Sequence, residues 1–436
     1  MRRLVVWLWC ASLLALGAPF VRAEESLSAA KALRFGKVVD GKGKVWNDGI
    51  VIVRGDRILE IITDVAKIPA GAEVIDLRRY TAIPGLIDVH THLTFYWDQK
   101  SNVHPFEQTN RLPAVTVFLA QENARRTLEA GVTTVRDLGS NEWNDVAMRD
   151  LINRGAMIGP RMFVAGYGIY VSYAPPKPGY AEPAGGRADN LPEVMRLLRE
   201  EVAGGVDVIK MYASTGTDKD VTGFQTYTYE EIKAAADLAH KYGKSLAVHS
   251  YGPDGARDAV RAGADSIEHA TDMDDETIAE MARRGTYYVP TIDHNRWYAE
   301  HITIFGWENE KQIADGLDDY RRRNFETARR AFKAGVRFAM GSDALFTMCG
   351  ENTRELGWFV KLGMTPEQAL ASATSNAAAL LGKEKELGAI APGYFADIVA
   401  VEGDPLSDVN VTINNVRWVM KGGAVVVEQK GTAKRN

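Results

Sequence analysis

Two histidines separated by one residue, His90 and His92, follow an apolar run that ends at Val89. In an extended strand, side chains two positions apart point to the same side, so both imidazoles would project together from the strand end. Imidazole nitrogen is a good ligand for zinc and related first-row metals. A short His-x-His pattern has a high false-positive rate and also fits an ordinary strand end. The pair is therefore a candidate metal site, and the strength of that prediction depends on which other residues the chain could bring near it.

Further residues of the types that bind metals or move protons follow other β-rich runs. His249, His269 and Asp343 each lie at or just after the end of such a run, and Lys210 lies inside the apolar run Val206–Met211. Each residue alone has an ordinary structural explanation, as a core histidine, a lysine with a buried stem or a helix-capping aspartate. Structural roles explain the whole set poorly, which makes convergence on one site the stronger hypothesis.

The elements that must position these residues alternate between strand and helix patterns. Eight such units favour a (β/α)8 TIM barrel, in which functional groups lie at the C-terminal ends of the strands. The rival is a doubly wound open sheet, but no glycine-rich dinucleotide loop follows the first strand. The predicted strands are Leu86–Val89, Thr133–Arg136, Met162–Ala165, Val206–Met211, Ser245–Val248, Ser266–Glu268, Tyr287–Val289 and Arg337–Met340. The predicted helices include Val115–Ala130, Leu191–Ala203, Tyr229–Tyr242, Asp254–Ala262, Asp275–Arg284 and Tyr320–Ala334.

Short alternating strands at both ends of the chain predict a second, smaller domain. We expect a mainly antiparallel β-sandwich built from residues 24–83 and 389–436, joined to a barrel domain of residues 84–388. Two long connections, Tyr167–Asn190 and Thr291–Asp319, are predicted to overhang the barrel mouth as walls of a substrate pocket. The second connection is equally compatible with a plain surface insertion.

The first residues of the chain have the features of a secretory signal peptide. Arg2 and Arg3 precede the apolar run Leu4–Leu16, and small residues occupy positions 21 and 23, where a signal peptidase would read them. The apolar run is short for a spanning helix, which favours export over an N-terminal membrane anchor. We expect residues 1–23 to be removed by cleavage after Ala23 and the mature protein to be secreted, with the bacterial periplasm as the expected compartment.

Composition excludes several other classes of protein. The chain has 436 residues, of which 46% are hydrophobic and 25% charged, as in ordinary globular proteins with one large and one smaller domain. A net charge of −5 and the lack of a Lys/Arg-rich run speak against a nucleic-acid surface. Cys10 and Cys349 are the only cysteines, so no disulfide framework is expected. Cys349 is predicted to be a buried small residue rather than a reactive thiol.

The segments around the candidate residues resemble the amidohydrolase superfamily, and the resemblance covers essentially the whole mature chain. Within the superfamily the chain is most similar to the imidazolonepropionase-like group, which includes Xaa-Pro and Xaa-Arg dipeptidases. In combination these segments are specific to the superfamily. They are Pro84–His92, Gly131–Asp137, Ile209-Lys210, Ala247–His249, Ser266–His269, Gly341–Asp343 and Gly388–Val399.

The resemblance implies two divalent metal ions, with zinc expected. The implied ligands are His90, His92 and Asp343 for the more buried ion, His249 and His269 for the more exposed ion, and Lys210 as a bridge between them. Burial and positive neighbours lower the pKa of a lysine, and the neutral amine can then take up CO2. The resulting N6-carboxylysine at Lys210 would neutralise part of the metal charge.

The implied chemistry is hydrolysis of an amide by a metal-bridging hydroxide, because coordination lowers the pKa of water from 15.7 toward ~7. Asp343 would take the proton from the nucleophile and pass it to the leaving amine. Tyr251, two residues after His249, is assigned to the substrate carbonyl or carboxylate. Weaker candidates for a carboxylate or specificity pocket, for which packing or surface roles are equally open, are Arg136, Tyr212, Tyr227 and His294.

These expectations together describe a secreted amidohydrolase that cleaves a small-molecule or dipeptide-like substrate, with a dipeptidase of Xaa-Pro or Xaa-Arg type as the leading hypothesis. Alternatives are a cyclic amide or lactone hydrolase, as in imidazolonepropionase, and an amidase for N-acyl amino acids or amide-linked toxins. A non-catalytic scaffold on the same fold is a remote rival, since all the ligand positions are filled. We expect a homo-oligomer without stable membrane insertion or nucleic-acid binding.

Overall fold

A computed structural model describes residues 29–101, 105, 111–172, 185–215, 222–306 and 309–428. Strands and helices alternate through the middle of the chain. Its strands are β1 (Lys31–Val39), β2 (Val45–Asn47), β3 (Ile50–Arg54), β4 (Arg57–Ile62), β5 (Glu73–Pro84), β6 (Leu86–Thr91), β7 (Val132–Asp137), β8 (Arg161–Val164), β9 (Val208–Tyr212), β10 (Ser214–Thr215), β11 (Phe224–Gln225), β12 (Ser245–Ser250), β13 (Ser266–His269), β14 (Tyr287–Val289), β15 (Arg337–Phe338), β16 (Ile398–Val401), β17 (Val416–Lys421) and β18 (Ala424–Glu428).

Its α-helices are α1 (Pro113–Glu129), α2 (Asn144–Asn153), α3 (Leu191–Gly204), α4 (Tyr229–Lys241), α5 (Pro253–Ala262), α6 (Asp275–Arg284), α7 (His294–Glu300), α8 (Glu310–Lys333), α9 (Glu355–Leu362), α10 (Pro366–Ser372), α11 (Ser375–Leu380) and α12 (Asn410–Asn414). Short 3₁₀ turns lie at Val65–Lys67, Gln99–Ser101, Ile302–Phe305, Phe346–Met348 and Asn352–Arg354. The predicted signal peptide, residues 1–23, lies outside the described residues. None of the helices in the described ranges combines the length and the apolarity that crossing a bilayer requires.

The parallel strands in the middle of the chain close into a barrel. Strands β6, β7 and β8 form one ladder, and β9, β12, β13, β14 and β15 form another. Backbone pairs join the two ladders at both edges: Ile169 pairs with Met211, and Thr91 pairs with Ala344. All eight predicted barrel strands are therefore present, and their C-terminal ends meet at one mouth.

Local sequence signals start and stop the helices that surround the barrel. The side chains of Asn190, Thr228 and Asp274 accept backbone N–H bonds at the first turns of α3, α4 and α6. Gly263 and Gly285 end α5 and α6 in the left-handed conformation, which glycine adopts without a steric penalty. These stops return the chain to the next strand after a short connection.

One predicted connection is wrong in its secondary structure. The segment Thr291–Asp319 contains α7, and α8 begins at Glu310 rather than at the predicted Tyr320. The first turns of α8 are strongly polar and are supported by surface pairs such as Lys311 with Asp315, 2.6 Å apart. Because these turns contain few apolar residues, they resemble a polar loop when the sequence is searched for hydrophobic periodicity.

Strands from both ends of the chain share one sheet, in the order β18-β17-β16-β5-β1-β3-β4 with β2 paired to β1. Val51 of β3 and Trp418 of β17 lie in the same buried cluster although three strands separate theirs in this order, so the sheet folds over on itself as a sandwich does. The antiparallel prediction holds for most pairs but is wrong for β1 and β5, which are parallel. The β3-β4 hairpin lies on one side of β1, and the chain then crosses to the other side.

Gly85 connects the sheet directly to the barrel. It lies between β5 and β6, and its amide donates to the Asp397 carbonyl, 2.8 Å away. A Cβ at this position would meet the Thr133 side chain and would lie 2.9 Å from the Asp397 Cβ. The residue at this junction must therefore lack a side chain.

We expect Gly85→Ala to lower the free energy of unfolding by about 1–3 kcal/mol, because the added methyl group has no free space. Gly316→Ala is the matched control, since nothing lies within 4 Å of a Cβ there. It should raise stability by about 0.5–1 kcal/mol, because alanine favours a helix interior. Equilibrium denaturation in urea measures both changes, and equal effects of the two variants would contradict the close packing at Gly85.

Candidate metal centre

Histidines from two neighbouring regions of the barrel mouth surround the carboxylate of Asp343. His90 lies on β6, and His92 follows that strand. Asp343 lies in the segment after β15, where the Asp343 amide donates to the His90 carbonyl over 2.7 Å. The Asp343 Oδ1 atom lies 3.5 Å from His90 Nε2 and 3.3 Å from His92 Nε2. One donor atom from each of the three residues lies within 4.8 Å of the other two, so these residues could hold one metal ion.

The other three predicted ligands adjoin this cluster. The His249 ring lies beside the His269 ring, with their centres 4.6 Å apart. The centre of the His269 ring lies 4.9 Å from that of the His90 ring. The Lys210 Nζ atom lies 3.5 Å from His90 Nε2. Strands β9, β12 and β13 carry these residues, and because parallel strands end on one face the barrel brings all six side chains together.

The hydrogen-bond partners of the imidazoles determine which nitrogens face the cluster. His90 Nδ1 donates to Glu268 Oε2 over 2.8 Å, and His92 Nδ1 donates to the Gly139 carbonyl over 3.0 Å. Since a carboxylate and a carbonyl can only accept, both Nδ1 atoms carry the proton. The Nε2 lone pairs of His90 and His92 are thereby left for a metal ion.

An ion pair buried inside the barrel supports His90 from below. Arg136 donates to Glu268 Oε1 over 2.8 Å, to the Val89 carbonyl over 2.6 Å and to Ser266 Oγ over 3.1 Å. Burial opposes ionisation of Glu268, but the charge of Arg136 and the hydrogen bond from His90 outweigh it and lower the pKa of Glu268 to about 2. Arg136 therefore lies below the cluster with its nitrogens bonded to protein groups, and not at the mouth where a substrate carboxylate would bind.

At His92 burial is outweighed by the hydrogen bond and charge of Asp343, which raise the pKa, but burial sets the protonation of His90, His249, His269 and Lys210. It lowers the pKa of His90 to about 4, helped by the charge of Lys210, and lowers the pKa of His249 and His269 well below the usual value. Burial also lowers the pKa of Lys210 to about 8, against the opposing charges of Glu268 and Asp343. Neutral imidazoles beside one carboxylate and a lysine of reduced basicity are a donor set that fits divalent metal ions.

Asp88 ties the strand that carries His90 to the turn that carries Asp343. Its Oδ1 atom accepts the amides of His90 and Ser342 at 3.1 and 3.0 Å, and its Oδ2 atom accepts Asn352 Nδ2 at 2.9 Å. Burial raises the pKa of Asp88 to about 6. Sequence reasoning missed Asp88 and Glu268 as site residues, although each is an acidic residue inside a buried strand, and that placement was the available signal.

The remaining candidates occupy three different places. Tyr251 and Tyr212 adjoin the cluster, with ring centres 4.4 and 5.0 Å from the His249 ring. His294 contacts Asp343 itself, with Nε2 lying 3.2 Å from Oδ2. Tyr227 is buried, and its hydroxyl donates to the Ala188 carbonyl over 2.7 Å, so its visible role is to anchor that part of the chain.

Two buried carboxyl groups hold the chain segment that packs on Lys210. Asp145 accepts the Gly166 amide over 2.8 Å, and Glu201 accepts the Tyr167 amide over 3.2 Å. A Cβ at Gly168 would lie 3.3 Å from Lys210 Cγ, which shows how closely the segment approaches the lysine. Burial raises the pKa of Asp145 to about 7 and that of Glu201 to about 8.

Two further predictions concern the connection Tyr167–Asn190 and the residue Cys349. Of the connection Tyr167–Asn190, the structure describes residues 167–172 and 185–190. Cys349 is 2% exposed, and burial raises the pKa of its thiol, as expected for a small packed residue and not for a nucleophile.

Comparison with known proteins identifies the family. The model of the amidohydrolase family matches residues 81–426, which is most of the chain. The chain belongs to the amidohydrolase family. The predicted family and the predicted barrel with an added sheet domain are confirmed, and the enzyme is a hydrolase of amide bonds in small molecules, in a family that generally binds divalent metals.

Individual relatives extend over nearly the whole amidohydrolase. A solved structure of a Xaa-Pro dipeptidase with bound methionine in the active site is 32% identical, with a TM-score of 0.82, and the match covers 91% of this chain and 99% of that one. Ochratoxinase of Aspergillus niger is 28% identical over 445 residues, covering 93% of this chain and 88% of the relative. Imidazolonepropionase of Geobacillus thermodenitrificans is 24% identical over 430 residues, covering 89% and 90%.

We expect Glu201→Gln to flatten the pH dependence of stability. The pKa of Glu201 in the folded protein, about 8, lies above its value of about 4.3 in the unfolded chain. The protonated carboxyl group therefore contributes its full stabilisation of the folded state below pH ~4.3, and this stabilisation is lost as the pH rises toward 8. The parent should lose stability by at most about 1.4 kcal/mol per pH unit through this group between pH 5 and 8. Denaturation at four pH values measures the slope. Glu200→Gln, an exposed neighbour on α3, should keep the parent slope.

Proposed function

We propose that this amidohydrolase is an exported dipeptidase of Xaa-Pro or Xaa-Arg type that works with two divalent metal ions, with zinc as the expected metal. The observation that carries the proposal is the convergence of six donor side chains at the barrel mouth, around Asp343. Similarity to a solved Xaa-Pro dipeptidase over 91% of the chain supports the substrate class.

The proposed ligands divide into two neighbouring groups. They are His90, His92 and Asp343 for one ion, His249 and His269 for the other, and Lys210 between them. A lysine ammonium would repel two dications, whereas its N-carboxylated form supplies anionic oxygens. The reduced basicity that burial gives Lys210 makes the free amine available for this modification.

When bound, the ions would supply a hydroxide nucleophile at neutral pH and polarise the scissile carbonyl. Asp343 accepts the proton that the nucleophile loses and delivers it to the leaving nitrogen, which is a poor leaving group until it is protonated. Tyr251 and Tyr212 line the mouth beside His249, and we assign them to the substrate carbonyl or carboxylate. The burial of Asp343, 6% exposed, keeps bulk water from competing for its proton.

A second candidate substrate class is an N-acyl amino acid or an amide-linked toxin. Similarity to ochratoxinase over 93% of the chain favours it, as does the aromatic rim formed by Phe95, Tyr212 and Tyr251 around the histidines. Hydrolysis of a cyclic amide or a lactone is supported by the more distant similarity to imidazolonepropionase.

We also propose the organisation of the mature enzyme from the sequence. Residues 1–23 would be a signal peptide that directs the protein to the periplasm, followed by the sheet domain of residues 24–83 and 389–436 and the barrel of residues 84–388. A homo-oligomer is the expected assembly. N-terminal sequencing of the protein recovered from an exporting host tests the cleavage after Ala23.

Substrate class is tested on the zinc-loaded mature protein with matched panels of Xaa-Pro and Xaa-Arg dipeptides, N-acyl amino acids, cyclic amides and lactones. The proposal expects the highest kcat/KM among the dipeptides. Faster turnover of ring substrates would favour the cyclic alternative. Protein that retains two metal ions and hydrolyses none of the panels would contradict the proposed function.

We expect Asp343→Asn to retain most of the bound metal and to lower kcat by at least about 100-fold, because the amide cannot carry the proton. Metal analysis and steady-state kinetics on the same preparation separate these effects. Loss of metal in proportion to activity would assign Asp343 a ligand role only.

Lys210→Ala should lose bound metal and activity together, because it removes the proposed bridge. Added acetate or propionate should restore part of both, since a short carboxylate can occupy the vacated space. Metal content and kcat/KM are measured with and without the added acid. A variant that keeps both metal ions and full activity would refute the bridging assignment.

A further inference from the structure

The loop that follows β14 has a strained backbone at the edge of the metal centre. Thr291 has a φ of 49°, in the left-handed region that β-branched residues avoid. Its hydroxyl lies 2.7 Å from His269 Nδ1, so the strained residue contacts a proposed metal ligand directly. Such conformations persist when surrounding contacts over-determine them, and they cluster at functional sites.

A buried carboxylate holds this loop in its strained form. Glu355, the first residue of α9, is 1% exposed, and its two oxygens accept the amides of Ile292 and Asp293, each over 2.9 Å. Both amides immediately follow Thr291 in the chain. Without Glu355 these donors would be left without acceptors inside the protein, which is costly.

The loop presents His294, whose imidazole contacts Asp343 twice. His294 Nδ1 lies 3.0 Å from the Asp343 carbonyl oxygen, and Nε2 lies 3.2 Å from Asp343 Oδ2. A carbonyl oxygen can only accept, so Nδ1 is the donor. Asp343 itself has a φ of 55°. The Nδ1 proton therefore fixes the backbone of Asp343, a residue in an unfavourable conformation, while Nε2 lies against its carboxylate.

We propose that His294 is a positioning residue that holds the backbone of Asp343, and thereby the direction of its carboxylate, and that Glu355 holds the loop that presents His294. This replaces the expectation that His294 contacts the substrate, and it rests on the proposed role of Asp343 as the proton carrier. The loop has a second anchor, because Asp293 accepts bonds from Trp358 at 2.9 Å and from Arg354 at 3.1 Å. Loss of Glu355 should therefore shift the loop without unfolding the enzyme.

The test compares His294→Asn, His294→Gln and His294→Ala in zinc-loaded enzyme. An asparagine amide nitrogen can replace Nδ1 and donate to the Asp343 carbonyl, whereas a glutamine nitrogen can replace only Nε2. We expect the alanine variant to lose about 100-fold in kcat, as for a catalytic group displaced by about 1 Å, with KM within about threefold. The asparagine variant should recover more of kcat than the glutamine variant. A raised KM with unchanged kcat would restore the substrate-binding assignment and overturn the proposal.

Cobalt-loaded protein supplies a readout that needs no substrate. If His294 fixes Asp343, His294→Ala should bind the same number of cobalt ions as the parent but change the visible absorption bands that report ligand geometry. An unchanged spectrum together with parental kcat would overturn the proposal. If the parent hydrolyses no amide, the proposed function fails, and the spectrum still decides whether His294 positions Asp343.

Glu355→Gln tests the second half of the proposal, with Glu367→Gln as its control. The amide of glutamine can accept only one of the two backbone N–H groups, so we expect kcat to fall about tenfold at unchanged KM. Glu367 is an exposed residue on α10, and its variant should match the parent. Equal kinetics and equal cobalt spectra for the two variants would remove Glu355 from the proposal, and an unfolded Glu355→Gln would do the same because it would show a structural role alone.

Discussion

Everything at the barrel mouth depends on the exclusion of water from a group of ionisable side chains. Four imidazoles, a lysine and a carboxylate lie together, and burial keeps His90, His249 and His269 neutral. A cluster of protonated histidines beside Lys210 would repel a metal ion, whereas neutral imidazoles offer lone pairs. The Glu268 carboxylate, itself paired with Arg136, favours protonated His90, but burial outweighs this effect. What Glu268 contributes is an acceptor for the Nδ1 proton of His90, which leaves the Nε2 lone pair facing the cluster.

Buried carboxyl groups hold three of the segments around the site. Asp88 accepts amides from β6 and from the turn before Asp343, Glu355 accepts those after Thr291, and Glu201 accepts the amide of Tyr167. An acceptor without donors is costly in the interior, so each carboxyl group restricts its loop to the conformation that supplies N–H bonds. Two of these acceptors lie beside residues with positive φ: Glu355 beside Thr291, and Asp88 beside Asp343. The mouth of this amidohydrolase is thus rigid where its proposed chemistry takes place.

The fold could be predicted where a pattern is local and regular. All eight barrel strands were found because short apolar runs bounded by Gly-containing turns are visible in the chain itself, and α6 was predicted with its observed limits. The start of α8 at Glu310 was missed because each of its first three turns carries a single large apolar residue, Ile313, Leu317 or Tyr320, among charged and small ones. The parallel pairing of β1 and β5 was missed for another reason. Strand direction in a sheet depends on where the chain crosses, which composition does not record.

The sequence by itself indicated which side chains would come together at the barrel mouth, because each lies in or just after a strand pattern and parallel strands in a barrel end on one face. It also carried the motifs of the family, which the match over residues 81–426 bears out. Only the tertiary structure decided what each remaining candidate touches. Arg136 is bonded beneath the cluster, Tyr227 is bonded to Ala188, and His294 lies against Asp343. Such contacts join residues far apart in the chain, and they depend on side-chain direction and packing, which residue type and spacing do not specify.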